Sequence, residues 1–459
     1  MMAMAVFTTK LLCSTFLRVA IPRLTLAAFA MVFAAGAQAQ DPFHLETSTG
    51  AERLRLAAAN FAAGGGSSAE LTQAFDKTLF ADLSNAGIFD MVSKSMEPQA
   101  TPGAQNGINL GQWSAAPSSA AMVAFGSLGV AGGQVQVNGI LDDTHNVQFP
   151  QVFAKQYTDT PDVNGARQSA HRFADDIITR LGGGIQGIAE TKIYYIHFTG
   201  DGNKEVWAMD YDGQNQHAVT HLGEIALSPR VSPDNSRIAF SSLGKNGFQI
   251  RMYSLLLNRP VAFNSVGGTN ISPAWAPNGQ QLAFSSSRTG DPEIWVSDVQ
   301  GASARRVTSY KGPDVSPNFN PKTGAQIAWI SGRTGLPQLY IMDSDGSGVQ
   351  RMTDGGYATS PSWSPNGQFI AYAWNRKYGP GAPGGQDIYV MEVASKKWIQ
   401  LTHDIGRCDF PSWSPDGRHI VFANASGARN SHLISMLADG TQRHELTAGG
   451  SDMPNWSSR

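Results

Sequence analysis

The sequence is poor in cysteine and lacks the short motifs that identify common catalytic sites. It has two cysteines in 459 residues, Cys13 and Cys408, and Cys13 lies in a segment that we expect to be removed. No internal disulfide is therefore expected, and the apolar core must hold the fold together. Gly-x-Ser-x-Gly, His-Glu-x-x-His, Cys-x-x-Cys and Walker sequences are absent. These absences remove direct sequence support for serine hydrolase, metalloprotease and P-loop chemistry.

The chain also lacks an excess of positive charge. It has 34 Lys and Arg against 36 Asp and Glu, and the first 39 residues hold three of the basic ones and none of the acidic ones. Without that segment the net charge is near −5. We therefore expect no nucleic-acid partner, because nucleic-acid binding requires a basic surface.

One long apolar stretch lies near the N-terminus. Lys10, Arg18 and Arg23 precede the run LTLAAFAMVFAAG, which ends in the small-x-small sequence Ala37-Gln38-Ala39. This order predicts a secretory signal peptide over residues 1–39 and a mature chain that starts at Gln40. A transmembrane anchor is the alternative, but the run is shorter than the roughly 20 residues that a bilayer requires.

Much of the remaining chain is a repeat. LSPRVSPDNSRIAF, ISPAWAPNGQQLAF, VSPNFNPKTGAQIAW, TSPSWSPNGQFIAY and PSWSPDGRHIVF are near copies, and MPNWSSR closes the chain as a partial copy. The prolines that open the copies are Pro229, Pro273, Pro317, Pro361, Pro411 and Pro454. They are 44, 44, 44, 50 and 43 residues apart. A period of this length, with four short strand signals in each copy, is typical of a β-propeller blade.

Each copy has the residues that short strands and tight turns need. Pro-Asn-Gly and Pro-Asp-Gly suit the turns, and the opening proline suits the start of a strand because it cannot donate a ladder hydrogen bond. The aromatic residue two positions after that proline is predicted to pack as a wedge between blades, with carbohydrate stacking as the alternative. These aromatic residues are Trp275, Phe319, Trp363, Trp413 and Trp456.

The two ends of the repeat complement each other. KIYYIHF, from Lys192, has no Pro-x-Trp strand before it, and the copy at Pro454 has no strands after it. We therefore predict that the C-terminal strand joins residues 192–220 and closes a ring of six blades, because closure pairs the open edges. The predicted fold is an α/β N-terminal domain over residues 40–190 and a six-bladed β-propeller over residues 191–459, mainly β overall.

Residues 40–190 do not repeat and predict a small α/β domain. Strands are indicated by ERLRLAAANF, AAMVAFGSLG and GQVQVNGILDD. Two amphipathic helices are indicated, the first capped by Ser68 and ended by Gly87. Their apolar stripes are Leu71, Phe75, Leu79 and Leu83 in the first, and Phe173, Ile177 and Leu181 in the second.

No set of residues predicts catalysis by itself. Asp210-Tyr211-Asp212-Gly213 and Asp343-Ser344-Asp345-Gly346 resemble calcium loops, but each lies at an expected hairpin turn and lacks the distal glutamate of an EF-hand. Histidines are scattered through the repeats without a shared spacing. This leaves open a metal-dependent lyase or lactonase with histidines at the propeller axis, and a general propeller module for peptides or sugars is a further hypothesis. We expect no cofactor and no metal.

One charge pattern stands out in the repeats. The loop between the second and third strands of every copy carries a basic residue, and these are Lys204, Lys245, Arg288, Arg333, Arg376 with Lys377, and Arg429. In a propeller these loops open on the same face as the loops that lead into the first strands. The pattern predicts a basic crown around one mouth of the ring that docks an acidic partner. The alternative is that Lys and Arg are simply common in exposed loops.

The chain resembles the TolB family, the periplasmic component of the Tol-Pal system of Gram-negative envelopes. The resemblance rests on the Pro-x-Trp-Ser-Pro-Asp-Gly repeats, the signal peptide and the N-terminal domain. In that domain, DLSNAGIFDMV from Asp82 and DDIITRLGGGIQGIAETKIYYIHF from Asp175 look like segments of the family. It implies a non-catalytic periplasmic protein that maintains outer-membrane integrity and helps to draw that membrane inward during division. We expect a monomer.

The resemblance also implies two partner sites, with contact to membranes only through the partners. In the family the propeller mouth holds the lipoprotein Pal, and the extreme N-terminal segment engages the inner-membrane protein TolA. The TolA-like segment here is Phe43, His44, Leu45, Glu46 and Thr47, which alternates apolar and polar residues as an added strand should. The Pal-like surface lies within the basic crown, at the loops that lead into each first strand. Its residues are Thr269, Asn270, Asp314, Val315, Tyr357, Thr359, Arg407, Asp409 and Asp452.

Overall fold

The computed structural model describes residues 53–265, 267–379, 385–426 and 430–458. The predicted signal peptide, the TolA-like segment at residues 43–47 and Arg429 lie outside these ranges. The described residues all belong to one compact unit. None of the helices within them is long and apolar enough to cross a membrane.

The first part of the described chain combines one sheet with three α-helices. The strands are β1 (Leu54–Ala58), β2 (Ala62–Ala63), β3 (Phe89–Met91), β4 (Met122–Ala131), β5 (Gln134–Asp143) and β6 (Gln151–Asp159). The helices are α1 (Ala69–Asn85), α2 (Leu110–Ser114) and α3 (Val163–Leu181), with short 3-10 turns at Lys94–Met96 and Gln105–Gly107. The sheet order is β3-β1-β4-β5-β6, with β2 paired to β4.

The two long helices form where the sequence predicts them. Ser68 caps α1 by accepting a hydrogen bond from the backbone N of Leu71 at 3.3 Å, and Gly87 follows the helix with a φ of +67°. The predicted stripes are buried in one core, through Leu71, Phe75, Leu79 and Leu83 of α1 and Phe173 and Ile177 of α3. Each fully buried side chain of this size stabilises the fold by about 1.5–3 kcal/mol. Packing of these stripes therefore holds the helices in place.

The repeats fold into short strands. In chain order they are β7 (Lys192–Phe198), β8 (Lys204–Asp210), β9 (His217–Ala218), β10 (Ile225–Val231), β11 (Arg237–Gly244), β12 (Gly247–Ser254), β13 (Arg259–Val261), β14 (Asn270–Trp275), β15 (Gln281–Ser286), β16 (Glu293–Asp298), β17 (Arg305–Arg306), β18 (Asp314–Phe319), β19 (Gln326–Ser331), β20 (Gln338–Asp343), β21 (Gln350–Arg351), β22 (Tyr357–Trp363), β23 (Phe369–Asn375), β24 (Asp387–Glu392), β25 (Trp398–Gln400), β26 (Arg407–Trp413), β27 (His419–Ala425), β28 (Ser431–Leu437), β29 (His444–Glu445) and β30 (Ser451–Trp456). Four sheets have four strands each, β14 to β17, β18 to β21, β22 to β25 and β26 to β29. A fifth sheet has eight strands, in which β10 to β13 adjoin β8 through one parallel pair, Ile225 with Lys204.

Six strands carry the repeated prolines, and we call β10, β14, β18, β22, β26 and β30 the inner strands. In each of them the residue before the proline has a left-handed φ between 50° and 55°. These residues are Ser228, Ser272, Ser316, Ser360, Phe410 and Met453. The pairing register with the next strand shifts at the same point, as in Ile271 to Ala274 of β14. Every inner strand therefore contains a bulge, which bends the strand and turns the residues around it.

The aromatic residue two places after each proline packs between sheets, as predicted. Trp363 is 4% exposed and shares a core cluster with Ile330 of the preceding sheet. Its indole Nε1 donates a hydrogen bond to the carbonyl oxygen of Asn318, on the preceding inner strand, at 3.1 Å. Trp275 and Trp413 make the equivalent bond at 2.9 and 3.1 Å. The tryptophans thus join neighbouring sheets by both packing and hydrogen bonding.

The C-terminal strand β30 is antiparallel to β7, with Trp456 opposite Ile193. The indole Nε1 of Trp456 donates a hydrogen bond to Thr191 Oγ1 at 2.8 Å. Its backbone N donates another to Ser412 Oγ, on β26, at 3.0 Å. The partial last copy of the repeat therefore supplies a strand next to β7, the first strand of the repeat region.

The α/β domain contacts two hairpins of the repeat region, β8 to β9 and β26 to β27. In the first, Tyr211 donates a hydrogen bond from its hydroxyl to Asp82 Oδ1 at 2.6 Å. The other oxygen of Asp82 lies 2.7 Å from Nδ1 of His171, inside the α/β domain. In the second hairpin, Nε2 of His419 lies 2.8 Å from the carbonyl oxygen of Asn85. Both contacts reach the last turn of α1.

His419 has a hydrogen-bond acceptor at each ring nitrogen. Nε2 faces the Asn85 carbonyl, and Nδ1 lies 3.2 Å from Asp416 Oδ2. Carbonyl and carboxylate oxygens only accept, so both nitrogens must donate, and only the protonated ring can do this. Burial opposes the charge, but Asp416 and the Asn85 carbonyl outweigh it and raise the pKa of His419. The C-terminal end of α1 favours the same positive charge.

Raising the pH is expected to weaken this contact. Because the folded-state pKa of His419 is raised, its contribution to stability is complete below the unfolded value of about 6.5 and is lost as the pH rises through the folded value. Urea unfolding at about pH 6 and about pH 9 should show a loss of unfolding free energy that is smaller in His419→Gln than in the exposed control His217→Gln. Equal losses in the two variants would contradict the assignment.

Candidate functional site

Two sets of loops meet on one face of the repeat region, which we call the mouth. Backbone hydrogen bonds join the residues that lead into an inner strand to the second-to-third loop of the preceding sheet. Asp314 N bonds to Pro292 O at 2.8 Å, and Ala358 N bonds to Pro337 O at 3.0 Å. The α/β domain contacts hairpins at the opposite ends of the strands. The mouth therefore faces away from that domain.

The predicted Pal-like residues at the starts of the inner strands differ in exposure. The exposed ones are Thr269 and Arg407, and the partly exposed ones are Val315, Tyr357, Thr359 and Asp452. Asp409 is 6% exposed, whereas Asn270 and Asp314 have no exposed surface. Asn270 and Asp314 thus support the mouth from beneath.

The structure brings four of these residues together across β22, β26 and β30. Asp409 accepts a hydrogen bond from Thr359 Oγ1 at 3.1 Å and pairs with Arg407 Nη2 at 3.1 Å. Asp452 occupies the matching position on the neighbouring inner strand. Burial, reinforced by the negative charge of Asp409, raises the pKa of Asp452 to about 6. This side of the mouth therefore loses negative charge as the pH falls through about 6.

Three arginines of the basic crown lie over aromatic rings. The distances from guanidinium carbon to ring centre are 4.4 Å for Arg288 and Trp295, 4.9 Å for Arg333 and Tyr340, and 4.2 Å for Arg376 and Trp398. Such contacts stabilise by about 0.5–1 kcal/mol at exposed sites. They also order the side chains in advance, which reduces the entropy cost of binding a partner. Lys245 is exposed in the same set of loops.

Sequence reasoning missed these rings. Arg288 and Arg333 each precede their ring residue, Trp295 or Tyr340, by seven positions. The repeated spacing was the available signal, because it places both partners at the second-to-third hairpin of the same sheet. The arginine positions were thus visible in the sequence, and their stacking partners could have been inferred from the spacing.

Arg333 differs from the other crown residues because its charge is matched inside the protein. Its Nη2 lies 3.1 Å from Oδ2 of the fully buried Asp314. Arg288 instead donates from Nε to Ser286 Oγ at 3.1 Å. The salt bridges found among the described residues do not include Arg288 or Arg376. The positive charge that the mouth presents to solvent therefore comes mainly from these two arginines and from lysines.

Tyrosine side chains are exposed beside the arginines. Tyr310 is 57% exposed and lies 5.0 Å from the guanidinium carbon of Arg333. Tyr378 is 50% exposed and its ring centre lies 5.2 Å from that of Tyr357. Arginine and tyrosine are enriched among the residues that dominate the energy of protein–protein interfaces. The mouth thus has the composition of a protein-binding surface.

Among the described residues, one group of side chains could hold a metal ion, namely His171, Asp210 and Asp212. It lies where the α/β domain meets the β8 to β9 hairpin, away from the mouth. Arg167 Nη2 lies 2.8 Å from Asp212 and Lys192 Nζ lies 2.8 Å from Asp210, so both carboxylates already have cationic partners. This cluster fits an ion-pair network that joins the two parts of the chain better than a metal site.

An α/β domain followed by a β-propeller with a cationic, aromatic mouth defines the class of protein. A family model described as the TolB beta propeller domain matches residues 179–459, which is more than half of the chain. The chain belongs to this TolB propeller family.

Curated relatives and a solved structure carry the same family name. The chain is 33% identical over 203 residues to a TolB homolog of Chlorobium chlorochromatii, covering 44% of each protein. It is 31% identical over 290 residues to the Tol-Pal system protein TolB of Gluconobacter oxydans, covering 62% of this chain and 59% of that protein. The chain spans about half the length of the curated relatives it matches. The crystal structure of TolB from Acinetobacter baumannii has the same fold, with a TM-score of 0.74 at 24% identity over 89% of this chain and 98% of that one.

Proposed function

We propose that this chain is a non-catalytic, periplasmic protein-binding scaffold of the Tol-Pal system. Its mouth binds a Pal-like lipoprotein, and residues 43–47 bind a TolA-like inner-membrane protein. These interactions serve outer-membrane integrity and constriction during division. Relatives named Tol-Pal system protein TolB support the assignment to that system. The signal peptide predicted over residues 1–39 supports the location.

The observation that carries this proposal is the arginine and tyrosine surface of the mouth. Arg288 and Arg376 hold cationic groups in fixed positions on aromatic rings. Carboxylates of a partner that face them gain charge-assisted hydrogen bonds. Tyr310 and Tyr378 supply apolar area between these charges. An acidic protein surface is therefore the partner that fits.

We also propose that the repeats form a closed ring of six blades, with the predicted boundary between the two domains near residue 190. The eight-stranded sheet then comprises two blades joined by the single pair of Ile225 and Lys204. Contacts between inner strands support the closed ring, because they run from β10 through β14, β18, β22, β26 and β30 and return to β10. In this ring β30 is the inner strand of the blade formed with β7, β8 and β9.

Affinity capture from an envelope extract of the source organism tests the function. The bait is the mature chain from Gln40, a second bait lacks residues 40–50, and captured proteins are identified by mass spectrometry. A Pal-like lipoprotein should be recovered with both baits, and a TolA-like protein only with the first. Recovery of neither protein by the first bait would overturn the proposal.

Charge reversal at the mouth is expected to slow binding of the captured lipoprotein. Arg288→Glu with Arg376→Glu should reduce the association rate by about 10-fold or more at low salt and by less at physiological salt, because rim charges act mainly on the encounter. The control is Arg259→Glu with Lys322→Glu, which makes the same charge change at exposed positions of the opposite face. Thermal melting verifies that both double variants are folded. Equal association rates for the two would then show that the basic crown takes no part in docking.

A further inference from the structure

A cavity of about 330 Å³ lies at the opposite end of the inner strands from the mouth. All six inner strands line it through the positions that follow the repeated prolines. Its wall is strongly aromatic, through Trp275, Phe319, Trp363, Trp413 and Trp456. A cavity of this size with a mostly apolar wall and a few polar groups is the usual form of a small-molecule site.

Arg230 is the one charged residue among the described residues that line this cavity. Its Nη1 donates a hydrogen bond to the carbonyl oxygen of Pro229 at 2.9 Å, and no carboxylate pairs with it within the described chain. Burial lowers the pKa of Arg230 to about 10, since nothing nearby offsets the loss of water. Arg230 is partly buried, and a cation that loses hydration without gaining an anionic partner costs free energy that the fold has to supply from other interactions.

The repeat itself does not require this charge. The matching positions of the other inner strands are Ala274, Asn318, Ser362, Ser412 and Asn455, all uncharged. Those strands make the same bulge and the same sheet pairing without an arginine. The guanidinium is therefore an addition in one copy, placed on the axis that all six inner strands share.

Amide donors accompany the guanidinium in the cavity wall. Asn318 Oδ1 accepts a hydrogen bond from Trp363 N at 2.9 Å, and Asn455 Oδ1 accepts one from Val231 N at 2.8 Å. These bonds use the oxygen of each amide, so the Nδ2 of each remains the group that can donate. A positive charge with donors and without carboxylates selects for an anion.

We propose that this cavity binds a small organic carboxylate, with its carboxylate at Arg230 and its flat apolar body against the tryptophan-lined wall. The planar guanidinium fits a carboxylate through two parallel hydrogen bonds. Aromatic side chains favour a flat ring over a fully hydrated ion. This site is separate from the mouth and does not rest on the proposed partner binding.

Binding of benzoate to the mature chain tests the site. Binding is followed by tryptophan fluorescence and by calorimetry. Benzoate should bind at least about 10-fold more tightly than its neutral analogue benzamide, because benzamide cannot form the charge-assisted hydrogen bond with Arg230. Arg230→Gln should weaken benzoate binding by about 10-fold or more, with an intermediate loss in Arg230→Lys, which keeps the charge but not the fork. Arg259→Gln, at an exposed position, is the matched control and should bind benzoate normally.

The melting midpoint of Arg230→Gln distinguishes a ligand-binding role of Arg230 from a role in stabilising the fold. Arg230→Gln removes an uncompensated charge, so its melting midpoint should equal or exceed that of the natural chain. Absence of benzoate binding, equal binding of benzoate and benzamide, or unchanged binding in Arg230→Gln would each overturn the proposal. Tighter binding of inorganic phosphate than of benzoate would overturn the assigned ligand class.

Discussion

Removal of residues 451–459 is expected to lower the melting midpoint by about 5 °C or more, because the free energy of unfolding falls by more than about 5 kcal/mol. The deletion takes away β30 and with it the buried Trp456, which is 5% exposed. It also breaks the hydrogen bonds of Trp456 to Thr191 and Ser412. The free edge of β7 then becomes available for pairing with other chains, so aggregation should accompany the loss of stability.

Adding the deleted strand back as a separate peptide is a specific control for this deletion. A synthetic peptide of residues 449–459 should restore the melting midpoint of the truncated chain, because an added strand can pair with the open edge. A peptide of the same composition in scrambled order should have no effect. A truncated chain that melts as late and as sharply as the complete one would contradict the proposed closure.

Replacement of Trp363 by alanine is expected to reduce the free energy of unfolding by about 3–5 kcal/mol. The side chain fills the space between two sheets, where it packs on Ile330 and Ile370. Its loss leaves a cavity that the rigid sheets on either side can fill only in part. Chemical denaturation with urea measures the effect.

The phenylalanine variant separates packing from hydrogen bonding at this position. Trp363→Phe keeps much of the apolar volume and removes the bond to Asn318, so we expect a loss of about 1–2 kcal/mol. A loss of unfolding free energy below about 1 kcal/mol for Trp363→Ala would show that this side chain does not stabilise the packing between the sheets.

Local sequence patterns predicted much of the fold because turn residues and prolines recur at fixed positions in each copy of the repeat. Each predicted inner strand is present and the aromatic wedges occupy the predicted position, but the prediction that the prolines start the strands is wrong. Each inner strand begins three or four residues before its proline, which lies at the bulge. β6 was not predicted, because its pattern is only weakly periodic, with exposed Ala154, Lys155 and Gln156 in sequence. Its pairing with β5 gives it strand structure that its own residues do not indicate.

Side-chain direction at the starts of the inner strands could not be predicted by counting residues. Alternation along a regular strand assumes a period of two, but the left-handed residue before each proline adds a bulge. The bulge changes which residues face the interior, and Asn270 and Asp314 lie fully buried. Likewise, the pairing of Arg333 with Asp314 joins a residue of the loop after β19 to the first residue of β18 and depends on the folded sheet.

The sequence carries a signal at Arg230. It stands out only when the copies are aligned on their prolines, because the same position is uncharged in the other five. Its partial burial and its lack of a carboxylate partner depend on how the six inner strands pack around the cavity. A single copy of the repeat gives no indication of either property.

The contacts of the α/β domain have a mechanical consequence. That domain is attached to the hairpins β8 to β9 and β26 to β27, through Tyr211 and His419. These hairpins belong to the two sheets that β30 links, by its pairing with β7 and by the bond from Trp456 to Ser412. A pulling force applied to the α/β domain is thus transmitted to sheets on both sides of a strand that no covalent bond ties to β7. Under tension, the pairing of β30 with β7 is the contact that must break before the first and last strands of the repeat region can separate.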